Sequence, residues 1–181
     1  MIVTADLICH PASDCSPIRR IAVEMSRAHD AVTLCCRLDG EMSGLRIPEA
    51  GPAQRADNLW QHSCFEAFLQ AERSECYLEF NFSPSGAWAA YRFDGRRSGR
   101  ESPELMTPRM EVRRGPDWLA MNIRLSLAGI AEFTGSPRIS AGLTAVIEDA
   151  HGGLSHWALA HGSALPDFHD PATFTLRLPA A

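Results

Sequence analysis

Arg55 to Phe93, RADNLWQHSCFEAFLQAERSECYLEFNFSPSGAWAAYRF, decides the fold, because apolar and polar residues alternate through three successive runs. With a period of two, the first run places Phe65, Ala67 and Leu69 on one face and His62, Cys64, Glu66 and Phe68 on the other. The second places Leu78, Phe80 and Phe82 on one face and Tyr77, Glu79, Asn81 and Ser83 on its reverse. Such strands predict a sheet packed on a core by its greasy side, with carboxylates, an amide and hydroxyls free to hold a ligand on the other.

Outward from this stretch, short strand-like runs continue in both directions. They cover Val3 to Cys9, Arg20 to Ala28, Ala31 to Asp39, Gly44 to Ile47, His62 to Gln70, Cys76 to Ser83 and Ala87 to Asp94. Later runs cover Arg109 to Arg113, Trp118 to Ser126, Arg138 to Glu148, His156 to Ala160 and Thr173 to Leu178. Ala28-His29-Asp30 reads as a hairpin turn, as do Pro84-Ser85-Gly86 and His151-Gly152-Gly153. Ser126 to Phe133 is the one candidate for a short helix, opened by Ser126 as its cap. The expectation is an all-β chain forming an antiparallel β-sandwich of immunoglobulin-like or jelly-roll type, a single domain over residues 1–181. Two long loops, Pro48 to Asn58 and Gly95 to Pro108, are candidates for functional segments.

Composition narrows the function. The net charge of -5, with no basic run, argues against nucleic acid and anionic membranes as partners. All 17 basic residues are arginine, which base composition explains as well as any binding role. Without a leader pattern or an apolar span, the expected location is cytoplasmic, with the six cysteines reduced. Familiar nucleophile, phosphate-loop and zinc-protease motifs are absent.

Three groups of residues carry possible chemistry. Glu66, Glu79, Asn81 and Arg92, on three neighbouring strands, can hydrogen-bond the hydroxyls of a sugar, with Trp60, Trp88, Tyr91 or Trp157 offering a flat face to its C–H side. The plainer reading of the same residues is an internal salt-bridge network such as Glu66–Arg92. His62, His156, His161 and His169 are the candidates for a metal or haem, although their spacing matches no standard zinc pattern. Glu148 and Asp149, ahead of His151-Gly152-Gly153, are candidates for calcium, with a solvated strand end as the simpler reading.

RADNLWQHSCFEAFL, YLEFNFSPSGAWAAYRF and HWALAHGSALPDFH together resemble the bacterial DOMON-like proteins grouped with family-9 carbohydrate-binding modules. The resemblance rests on Asp57, Leu59, Trp60, Glu66, Tyr77, Glu79, Phe80, Phe82, Pro84 and Gly86, and extends from Ile21 to Phe174. It implies a β-sandwich module without catalytic activity that binds sugars or, in other branches, haem through Met and His ligands. Met25, Met42, Met106, Met110 and Met121 are available, but no motif marks one of them. Carbohydrate is thus the expected ligand, a haem- or metal-binding module the alternative, and a hydrolase using Glu66 and Glu79 a further one. A homo-oligomer and an interaction module built on an open sheet edge stay open.

Overall fold

Alternation along the chain converts into twelve β-strands in a computed structural model that describes residues 2–179. They are β1 (Ile2–Cys9), β2 (Ile18–Ala28), β3 (Ala31–Gly40), β4 (Gln54–Arg55), β5 (Cys64–Ala71) and β6 (Tyr77–Phe82). The second half supplies β7 (Ala87–Phe93), β8 (Arg109–Arg114), β9 (Trp118–Ser126), β10 (Arg138–Glu148), β11 (Leu154–Ala158) and β12 (Leu176–Pro179). Among the described residues the helical elements are three short 3-10 turns. The Ser126 to Phe133 segment is a run of turns in which the Ser126 hydroxyl accepts from the Ala128 amide, so the expected helix does not form.

All twelve strands join one curled sheet in the order β4-β7-β6-β5-β10-β11-β1-β2-β3-β9-β8, with β12 beside β10. β4 runs parallel to β7, and the other pairings are antiparallel, so the sheet is mixed where a purely antiparallel sandwich was expected. β1 makes the join. Its residues Ile2 to Leu7 pair with β2, while Ile8 and Cys9 pair with Ala158 and Trp157 of β11. The two halves share one core, to which β2 gives Ile21, Val23 and Met25, β5 gives Phe65, Ala67 and Leu69, and β6 gives Leu78, Phe80 and Phe82. The β5 and β6 residues are those that the period-two reading placed together. Each of these side chains other than Ala67 contributes about 1.5–3 kcal/mol through burial.

Local chemistry fixes the turns. β2 and β3 join through His29 and Asp30, with His29 at φ 54. The β6–β7 turn uses Gly86 at φ +91, where an added Cβ would lie 2.4 Å from the Gly51 carbonyl oxygen. Gly86→Ala is therefore expected to destabilise the protein by more than about 1 kcal/mol. Urea unfolding checks this, and an unchanged midpoint would contradict it. Gly44 to Ile47, expected as a strand, instead holds the end of a 3-10 turn and a single bridge between Leu45 and Asp149. Cys9 and Cys15 form a disulfide, with Cα atoms 6.4 Å apart, against the expectation of six reduced thiols; Cys35, Cys36, Cys64 and Cys76 are free. No helix among the described residues is long and apolar enough to cross a membrane.

Candidate functional site

The second face of β5, β6, β7, β10 and β11 gathers polar groups in register. Asn81, Glu66 and Thr144 stand opposite one another across β6, β5 and β10. One step along, Tyr91, Glu79 and Phe68 form the next row. Rows two residues apart lie about 6.6 Å apart along a strand, so the two carboxylates are diagonal neighbours.

Both carboxylates are buried, at 3% and 6% exposure. Glu66 accepts from the Thr144 hydroxyl at 2.9 Å and from the Cys64 thiol at 3.6 Å. Burial, with the charge of Glu79 adding to it, pushes the Glu66 carboxyl up to about 8, so it carries a proton at neutral pH. Burial raises Glu79 as well, but the Asn81 amide at 2.6 Å and the nearby Arg100 and Arg97 favour its ionised form. The pair thus divides into a carboxylic acid and an acceptor. Asn81 Oδ1 is buried without a hydrogen-bond partner.

A relay leads away from Glu79. The Arg97 amide donates to the Tyr77 hydroxyl at 3.2 Å, which leaves the hydroxyl proton for His169 Nδ1 at 2.8 Å. His169 Nε2 then carries the imidazole proton and faces Glu79 Oε2 at 3.5 Å. Burial, reinforced by Arg97, lowers the His169 pKa to about 4, consistent with a neutral ring.

The polar face is not bare to solvent as alternation alone suggested. Two segments without regular structure fold over it, one carrying Arg96, Arg97 and Arg100, the other Pro166, Phe168 and His169. Asp167 ties them together, accepting from Arg96 at 2.5 Å and Arg97 at 3.0 Å. Burial disfavours its charge, but the two guanidinium groups outweigh that and hold its pKa at about 2. Beneath this cover remains an open cavity of about 460 Å³. Glu66, Glu79 and Phe68 line it from the sheet, with Tyr91 and Phe93 from β7 and Val146 and His156 from β10 and β11. Trp60, 50% exposed on the 3-10 turn Leu59–Gln61, lines it as well. The Tyr91 hydroxyl donates to Asp57 at 2.6 Å, and the Arg100 guanidinium lies 3.9 Å from the centre of the Tyr91 ring. That contact is a cation–π pair at the cavity wall.

Among the sequence candidates, Trp60, Glu66, Glu79 and Tyr91 line this cavity and Asn81 supports it through Glu79. Arg92 does not belong to it. Neighbouring strand residues face opposite ways, so Arg92 departs from Tyr91 and instead binds Glu132 at 2.7 Å and Asp94 at 2.5 Å. Glu66–Arg92 is therefore not the structural network either. Trp88 and Trp157 share the other parity and lie in the common core, 3% and 5% exposed, which removes them as stacking faces. The four histidines do not converge as a set. His62 bonds Glu148 at 2.8 Å, His156 receives from or gives to Ser13 at 3.2 Å, His161 bonds the Ile8 carbonyl at 2.8 Å, and His169 belongs to the relay. Among the described residues no three His, Cys, Asp or Glu side chains are grouped to hold a metal ion. Glu148 and Asp149 are likewise engaged, the first by Arg46 and His62, the second by the His151 and Gly153 amides. Arg97, Arg100, Pro166 and Phe168 escaped the sequence reading. Only the length of the Gly95 to Pro108 loop pointed toward the first two.

No protein-family model matches the chain, and no curated protein matches it either. Solved structures with the same fold do. A putative carbohydrate-binding protein from Bacteroides uniformis superposes with a TM-score of 0.70 at 13% identity, covering 99% of this chain and 87% of its own. A family-9 carbohydrate-binding module from Caldicellulosiruptor kristjanssonii in complex with glucose gives a TM-score of 0.59 at 8% identity, over 97% of this chain and 84% of the other. A family-9 module from the same organism in complex with cellotriose gives 0.57 at 10% identity, over 99% and 82%. At these identities the likeness is one of fold: the curled β-architecture of this chain is that of known carbohydrate-binding modules.

Proposed function

We propose that the chain is a single, non-catalytic module that binds a carbohydrate or related polyol in the cavity between Trp60 and the Glu66/Glu79 pair. The facing halves of the curled sheet then act as the two layers of a sandwich that carries the site. The observation behind this reading is an indole half-open to solvent beside two buried carboxyl groups set diagonally on neighbouring strands and lining one cavity. A sugar hydroxyl both donates and accepts, so a protonated Glu66 as donor and Glu79, which already accepts from Asn81, as acceptor complement it, while the C–H face of the ring suits Trp60 or Tyr91. Structural neighbours binding glucose and cellotriose support the ligand class.

Calorimetry against a panel of glucose, xylose, chitin and cellulose oligosaccharides tests the proposal. Trp60→Ala is expected to weaken the best ligand by about 10-fold, near 1.4 kcal/mol, with little change in stability because the ring is half exposed. Silence across the whole panel would remove the proposal. A second reading is favoured by the same pair: two buried carboxyl groups side by side in a cavity, one of them raised to about 8 by burial, are also the pattern of a glycoside hydrolase. Release of sugar from a matching panel of chromogenic glycosides, lost in Glu66→Gln, would select that reading instead.

A further inference from the structure

We infer that the ligand is an oligosaccharide whose chain continues past Trp60 into a second, outer cavity on the same sheet face. The inference rests on the carbohydrate reading of the inner cavity. The outer cavity, about 640 Å³, is lined by Arg46, Asn58, Gln61, His62, Ser83 and Glu148 among others.

Register places both cavities on one face of the sheet. Thr144, Val146 and Glu148 alternate onto one face of β10, where they stand opposite Glu66, Cys64 and, across β11, Leu154. Val146 and Leu154 line the inner cavity and Glu148 the outer. Four residues separate Thr144 from Glu148, a rise of about 13 Å. That distance exceeds one pyranose ring, so the two carboxylate centres address different sugar units. The 3-10 turn Leu59–Gln61 divides the cavities, with Leu59 and Gln61 on the outer side and Trp60 on the inner. Asp57 links them, lining the outer cavity while it accepts from Tyr91 of the inner one.

The outer chemistry is arranged in advance. Glu148, with a side chain only 10% exposed, holds Arg46 Nη1 by one oxygen at 2.8 Å and His62 Nδ1 by the other at 2.8 Å. Both partners keep their far ends in solvent, at 55% and 71% exposure. In the neutral ring, with Nδ1 donating, His62 Nε2 is an acceptor, and Arg46 keeps further N–H donors. The Ser63 hydroxyl fixes the backbone beneath, donating to the Arg46 carbonyl at 2.8 Å and accepting from the Glu148 amide at 3.0 Å. Donors and an acceptor pinned side by side again suit hydroxyls.

Calorimetry with glucose, cellotriose and cellohexaose, and with chitooligosaccharides of the same lengths, tests this. The expected result is affinity rising about 10-fold or more from one sugar to six, at one molecule per chain. Arg46→Ala with His62→Ala should remove that gain and leave the monosaccharide unaffected. Because those changes strip Glu148 of its partners, Gln61→Trp, an exposed position whose added ring fills the outer cavity, should do the same without touching Glu148. Length-independent affinity, two molecules per chain, or an undiminished gain in both variants would overturn the inference and leave the inner site standing. No heat with any of these six sugars or with xylose oligosaccharides would overturn both.

Discussion

Replacing Glu79 with glutamine is expected to weaken glycan binding by about 10- to 100-fold while making the empty protein more stable at pH 8. The two effects have one origin. Glutamine keeps a carbonyl oxygen for the Asn81 amide but carries no charge, and a hydrogen bond to a charged acceptor is worth about 1.5–3 kcal/mol against about 0.5–1.5 for a neutral one. The same charge stands diagonally across from Glu66 and helps to hold that carboxyl protonated. Removing it eases a like-charge contact in a site where little solvent screens it. A residue kept for scaffolding would behave otherwise, since its loss would lower stability and leave ligands alone. Calorimetric titration and urea unfolding on one preparation separate the two. Binding unchanged, or stability lost at pH 8, would show that Glu79 belongs to the framework.

What the sequence conveys here follows from the geometry of strands. Side chains two apart share a face, so Glu66 with Phe68 and Glu79 with Asn81 could be assigned before any coordinates, and so could the core partners Phe65, Phe80 and Phe82. Applied to β7, the same parity excludes Arg92 and Trp88 as companions of Tyr91. Grouping them by charge and aromaticity rather than by parity is what misplaced them. Two things had no periodic signal. One is the join between the sheet's halves, which depends on two residue pairs between β1 and β11 and turns an expected sandwich into one curled sheet. The other is the cover over the polar face. Arg97, Arg100, Pro166 and Phe168 sit in irregular segments whose path is set by long-range contacts such as Asp167 with Arg96 and Arg97. About a third of the cavity wall, with His169 counted among them, therefore comes from residues with no local pattern.

Stability against urea should be nearly level between about pH 4.5 and 6.5 and then fall on the alkaline side toward pH 8. Glu66 ionises near 4.5 in the open chain but only at about 8 in the fold. Across that window the native state keeps a proton that the unfolded state has released, so its contribution, complete below 4.5, drains away as pH rises, by up to about 1.4 kcal/mol per pH unit. His169 acts in the opposite direction. Its ring is neutral in the fold down to about 4 and takes up a proton near 6.5 when unfolded, so the stability it lends is present above 6.5 and lost as pH falls. The slopes oppose one another below 6.5, and above it that of Glu66 is left without this counterweight. Unfolding midpoints at pH 5.5, 6.5 and 8.0 measure the profile, and Glu79→Gln should flatten its alkaline limb by letting Glu66 ionise earlier. A midpoint that climbs from pH 6.5 to 8.0 would mean that Glu66 is already charged at neutrality. The division of the pair into acid and acceptor, on which sugar recognition is argued, would then be lost.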